Sequence, residues 1–139
     1  MAIIFLTHCS KEKSELARAS GEKLPPDQLY TDPDLQAFIQ RCKETGSSWA
    51  ILSDKYGVIF PSEKHDYYEK PPATVTPEEE RIIVEDFNLR LGEFQQICFY
   101  IRRETYHPFY ERVLAASRLT DRIVLIEDLE QIGTNANFL

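Results

Sequence analysis

Four short runs of almost unbroken apolar residues punctuate this chain: AIIFLTHC at 2–9, WAIL at 49–52, ICFYI at 97–101 and RIVLI at 122–126. Runs of this length are too short for helices and lack the alternation of a half-exposed strand. They read as strands covered on both faces, as in a parallel sheet. Between them lie segments with helical signatures. Asp32 followed by Pro33 pairs an N-cap with proline at the first helical position, and Leu35, Phe38, Ile39 and Cys42 recur at helical spacing until Gly46. Thr76-Pro77-Glu78-Glu79 fits a capping box opening a helix over about 77–91, with Ile83, Val84, Phe87 and Leu91 as its inward stripe and Gly92 as its stop. Pro108 opens another helix through Phe109, Val113 and Leu114, and a closing helical turn is expected over 127–133.

Strands separated by helices, with no hairpin signal between them, imply βαβ crossovers. The expected fold class is therefore α/β: one three-layer α/β/α domain over residues 1–139, with a mostly parallel sheet of about four strands. A length of 139 residues supports one domain with its own core. No apolar run approaches the roughly 20 residues of a membrane-spanning helix, and 2–6 lacks a basic leader, so a cytoplasmic protein with no membrane partner is expected.

Two connections are long for a compact domain, 10–31 after the first strand and 58–75 after the second. Both leave the carboxyl ends of strands, where open parallel sheets bind ligands, so both are expected to bind or cover one. Pro71-Pro72 marks a stiff turn within the second.

Chemistry-bearing residues gather at these strand ends. Thr7-His8-Cys9-Ser10-Lys11-Glu12-Lys13 presents a thiol, a hydroxyl and two ammonium groups just past the first strand. Ser53-Asp54-Lys55-Tyr56-Gly57 follows the second, with Gly57 free to turn sharply or admit a ligand close to the backbone and Tyr56 able to stack on a planar base. Arg102, Arg103, Glu104, Tyr106, His107 and Tyr110 follow the third; an Arg fork suits phosphate, and His107 before Pro108 suits a helix cap or an acid–base role. His65, Asp66, Tyr67, Tyr68 and Glu69 occupy the second long loop. Each cluster also has a plain reading as a solvated strand end or packed turn.

Other chemistries lack their signatures. The three cysteines, Cys9, Cys42 and Cys98, are odd in number and widely spaced, which argues against a disulfide scaffold. No phosphate-binding or dinucleotide glycine motif, no Gly-x-Ser-x-Gly elbow and no zinc spacing occurs, so no cofactor and no metal is expected. A net charge of -7 disfavours a broad surface for duplex DNA, although every lysine falls within residues 11–70 and a local basic pocket is compatible with that charge.

A strand ending in Cys9-Ser10 with Lys13 four residues after the cysteine, Leu29-Tyr30 before a Pro-started helix, and Ile51-Leu52-Ser53-Asp54-Lys55-Tyr56-Gly57-Val58-Ile59 with Pro61 beyond it resemble a family of small α/β proteins. That family looks related to the YaaA peroxide-stress proteins and to the C-terminal catalytic domain of archaeosine synthase. The likeness covers about residues 3–128 and is most specific at Ile-Leu-Ser-x-x-Tyr-Gly. It implies a fold related to uracil-DNA glycosylases and suggests catalytic roles for Cys9, Ser10 and Lys13. His8 stands where the archaeosine synthase pattern has Pro, and Ser14-Glu15 where it has Pro-Tyr, so the specific lysine-addition reaction is not carried over.

The combined expectation is an enzyme acting on a nucleobase, a nucleotide or single-stranded nucleic acid, by base modification or glycosidic chemistry. Cys9 and Ser10 would supply a nucleophile or polar contact, and Lys13, Lys11 and Lys55 would neutralise phosphate or developing charge. Ser53 and Gly57 would line the pocket, Tyr56 and Tyr68 would stack on the base, and Arg102 and His107 would hold the ligand. Nearby lysines would lower the Cys9 pKa. The alternative expectation is a non-catalytic nucleotide-binding or nucleic-acid-binding module using the same pocket.

Overall fold

A computed structural model of the chain describes residues 2–133. Its five-stranded sheet has the order β3-β2-β1-β4-β5. β1 (Ile3–His8) is central and runs parallel to β2 (Ser48–Ser53) and β4 (Gln96–Tyr100), and β4 runs parallel to β5 (Ile123–Ile126). The α/β class and mostly parallel sheet are as expected; the strand count is not. The fifth strand, β3 (Gly57–Ile59), pairs antiparallel with β2 through a tight turn at Asp54-Lys55-Tyr56. Three residues carry no readable period, so this hairpin has no signal of its own in the sequence.

Helix boundaries follow their caps. The Asp32 carboxylate accepts from the Leu35 N–H at the start of α3 (Pro33–Thr45), which ends at left-handed Gly46. Thr76 and Glu79 close the capping box of α4 (Pro77–Leu91). α5 spans Pro108–Ala116, and the expected closing turn is a 3-10 turn at Leu129–Gln131. The first long connection contains two short helices, α1 (Glu15–Ser20) and α2 (Pro26–Leu29), rather than loop throughout. Val84 is half-buried rather than fully inward, while Ile83, Phe87 and Leu91 are buried as expected.

Two adjacent residues of β4 locate the layers. Tyr100 stacks on Phe38 of α3 at 5.9 Å between centroids, whereas Phe99 points to the other face, beside His8 and Tyr106. α3 thus covers one face, and α5, packed against α4, covers the other. The core between them is Leu, Ile and Phe rich, with Phe5, Phe38, Phe87, Phe99 and Phe109 all fully buried. Each such ring contributes roughly 1.5–3 kcal/mol by leaving water.

The two long connections meet over the carboxyl end of the sheet. Leu24 and His65 exchange backbone hydrogen bonds of 3.0 and 2.9 Å, and Lys13 bridges to Tyr30. Among the described residues no helix is long and apolar enough to cross a membrane.

Candidate active site

β1 ends at His8, and Cys9 continues it by donating its backbone N–H to the Leu52 carbonyl of β2 at 2.9 Å. This fixes the thiol beside the β2–β3 turn. Cys9 Sγ donates to Asp54 Oδ1 at 3.6 Å and lies 3.2 Å from the Tyr110 hydroxyl of α5. Cys9 is 5% exposed and Asp54 3%.

Beside this pair runs a chain of hydroxyls. Ser53 Oγ accepts from the N–H groups of Lys55 and Tyr56 at 3.0 Å each, which leaves its proton for the Tyr68 oxygen 2.9 Å away. Tyr68 in turn lies 2.6 Å from the Tyr30 hydroxyl. The Tyr68 ring carries cations: Lys13 Nζ sits 4.2 Å from its centroid and Lys55 Nζ 5.7 Å. Thiol, carboxyl, phenols and ammonium groups from five separate segments therefore converge where the parallel strands end.

The electrostatics differ from the expectation at Cys9. Burial and the Asp54 charge push its thiol above the usual range, so the lysines do not lower it. Burial likewise raises the Asp54 carboxyl, against the pull of Lys13 and Lys70 and the hydrogen bond from Cys9. Burial lowers Lys13, against the attraction of Cys9, Asp54 and Glu69. Tyr30, Tyr68 and Tyr110 are all raised, chiefly by burial, and stay neutral phenols. Burial thus shifts each of these groups toward its uncharged form.

Several residues assigned to a ligand do structural work instead. Arg102 is 6% exposed and points inward, where one guanidinium nitrogen donates to the His8 and Cys9 carbonyls at 2.8 and 3.1 Å and to His8 Nδ1 at 2.8 Å. Its other terminal nitrogen faces the Asp32 carboxylate at 3.6 Å. Arg102 anchors the strand end under Cys9 and presents no open fork to a phosphate. His107 is a helix cap, its Nδ1 accepting from the Phe109 N–H at 3.0 Å. The Ser10 hydroxyl turns away to the Glu12 carbonyl, and Lys11 is exposed.

Gly57 has φ +75, and a Cβ there would run into the Asp86 carboxylate, which accepts from the Val58 N–H at 2.8 Å. Its glycine serves that contact. Tyr56 is half-buried with one ring face covered by His65 at 4.1 Å, and Tyr68 is 5% exposed and offers no bare face for stacking.

Of the predicted set, Cys9, Lys13, Ser53, Lys55 and Tyr68 come together. Asp54, Tyr110 and Tyr30, which carry no expected role, join them. For Asp54 the sequence signal is its place between Ser53 and Lys55 at a buried strand's end. Among the described residues no group of three His, Cys, Asp or Glu is placed to hold a metal ion. Comparison of the chain with family models, curated proteins and solved structures finds no match.

Proposed function

We propose that this protein is an enzyme acting on a nucleobase, nucleotide or single-stranded nucleic acid, with the ligand bound over the carboxyl ends of β1 and β2. The observation that carries this reading is the convergence of the Cys9 thiol and Asp54 carboxyl with Lys13 and Lys55 around the Tyr68 ring. That position in a parallel sheet is where open α/β folds bind ligands. Two ammonium groups beside a thiol and an acidic side chain suit a ligand that joins an anionic part to a polar, uncharged ring. Lys13 is the group best disposed to meet it: it is half-buried, and its one side-chain hydrogen bond runs 3.4 Å to the Lys11 carbonyl.

In this reading Cys9 is the nucleophile, Lys13 and Lys55 balance negative charge, and Tyr30, Tyr68 and Tyr110 are hydrogen-bonding hydroxyls that order the site. Arg102 and His107 hold its scaffold.

The test is thermal stabilisation of wild type and Lys13→Ala by nucleobases, nucleotides and short single-stranded oligonucleotides at low salt. A compound that binds the folded state at about 100 times its Kd adds about 2.7 kcal/mol of stability. The expected result is a raised melting temperature in wild type that is lost in Lys13→Ala. No stabilisation by any of these classes overturns the reading, and a ligand that binds Cys9→Ser equally but is never turned over would make the protein a binding module.

A further inference from the structure

Cys9 and Asp54 have different surroundings from the other two cysteines. Cys42 of α3 and Cys98 of β4 lie in the apolar core, where burial pushes their thiols up to about 12 and about 11. Cys9 is as deeply buried, yet its Sγ faces a carboxylate oxygen, a phenol hydroxyl and, through space, the Lys13 ammonium. A sulfur that rests as a neutral thiol must shed its proton as it attacks, and the proton needs an acceptor within hydrogen-bond reach. Tyr110, Tyr68 and Tyr30 are neutral phenols and poor acceptors of a full proton. Asp54 Oδ1, 3.6 Å from Sγ, is the carboxylate in contact with it.

The turn that carries Asp54 is stiffly held. Ser53 Oγ pins the N–H groups of Lys55 and Tyr56, β3 pairs back on β2, and Gly57 lets Asp86 grip the Val58 N–H. The carboxylate is therefore held at the end of β2 opposite the Cys9 peptide, whose N–H is bonded to the Leu52 carbonyl and whose carbonyl is bonded to Arg102. Both partners sit on fixed backbone, which a proton-transfer pair requires.

We infer that Asp54 is the general base of this site, taking the Cys9 S–H proton on its carboxylate as the sulfur attacks an electrophilic carbon of the ligand. The S–C bond forms, the π pair of the attacked C=N or C=O bond moves to the heteroatom, and the Lys13 ammonium supplies that heteroatom's proton. On reversal the S–C bond breaks, the sulfur regains its proton from Asp54, and Lys13 regains its own. The inference rests on the enzymatic reading above, but the thiol–carboxylate pair can be probed without a nucleotide.

The probe is iodoacetamide, whose carbon the sulfur attacks with loss of iodide. The measurement is the alkylation rate of Cys9, resolved from Cys42 and Cys98 by peptide mass mapping, from about pH 5 to about pH 9. In wild type the rate is expected to rise as Asp54 ionises and to level off below the ordinary thiol range near about 8.5. Asp54→Asn removes that acid-side rise and lowers the rate at neutral pH on the order of 100-fold, as for loss of a positioned base. Asp54→Glu, which keeps a carboxylate, restores part of it.

A carboxylate that only braces the turn would leave wild type with a rate rising solely in the alkaline range. That profile, or a Cys9 that resists the probe throughout, overturns the inference. If Asp54→Asn unfolds, Cys42 and Cys98 label alongside Cys9, and the wild-type profile with Asp54→Glu decides. Failure of the nucleotide reading looks different: no nucleotide stabilises the fold while the Cys9 profile stands.

Discussion

His8 makes the stability of this fold depend on pH on the acid side of neutrality. Its side chain is fully buried at the end of β1, stacked 4.8 Å from the Tyr110 ring. Arg102 donates to Nδ1, which places the ring's own hydrogen on Nε2, an atom without a hydrogen-bond partner among the described residues. Protonating Nδ1 would desolvate a cation, remove an acceptor and set it against the guanidinium. Burial first, and Arg102 second, hold the His8 pKa down at about 4 against 6.5 in the unfolded chain.

Between these values the unfolded chain binds a proton that the native state refuses. The stabilisation is therefore complete above about 6.5 and is lost as pH falls toward about 4. At about 1.36 kcal/mol per pH unit the loss over the whole window is about 3 kcal/mol. Asp54, raised by burial, works in the opposite sense, because the native state takes up its proton first as pH falls. The contribution of His8 is isolated by comparing urea unfolding of wild type and His8→Gln at several pH values across that window. Wild type should lose about 3 kcal/mol more than the variant, and the His8 ring should titrate near 4 by NMR in the folded protein. Equal losses in the two proteins, or a native His8 titrating near 6.5, would refute the reasoning.

Three further substitutions probe the scaffold. Gly57→Ala forces a side chain into a left-handed residue and onto the Asp86 carboxylate, and should cost about 2–4 kcal/mol by urea unfolding; Gly21→Ala, at a similar φ but in open space, should cost about 1–2 kcal/mol. Arg102→Met strips the donor from the His8 and Cys9 carbonyls and leaves Asp32 without its cation. It should cost about 3 kcal/mol or more by the same measurement, with unchanged stability as the refuting result.

Arg102 also illustrates where the residue pattern misleads. An Arg just past a buried strand looks like an open phosphate fork, yet burial and three acceptors on one nitrogen turn it inward. The same holds for Tyr68, expected to stack on a base, whose ring is buried beneath the Lys13 ammonium and whose hydroxyl meets Ser53 and Tyr30. For Cys9 the neighbouring lysines suggested a lowered pKa, but desolvation outweighs them and raises it. Nothing in the chain states how deep a side chain will lie, and depth decides all three.

Elements signalled by near neighbours in the chain are legible before any fold is known. Buried strands announce themselves as apolar runs, and helices as caps with a period, because both depend on residues within a few positions of one another: Asp32 with Leu35, Thr76 with Glu79. The carboxyl-edge position of Cys9, Lys13, Ser53 and Lys55 follows from the same reading. Long-range packing alone makes the three residues after Tyr56 turn back as β3, sets Asp54 against the Cys9 thiol, and brings Tyr110 to it across 101 positions of chain. Those contacts arise from packing α5 and the two long connections against one end of the sheet, and the burial that this packing creates shifts the Cys9 thiol, the Asp54 carboxyl and the Lys13 amine toward their uncharged forms.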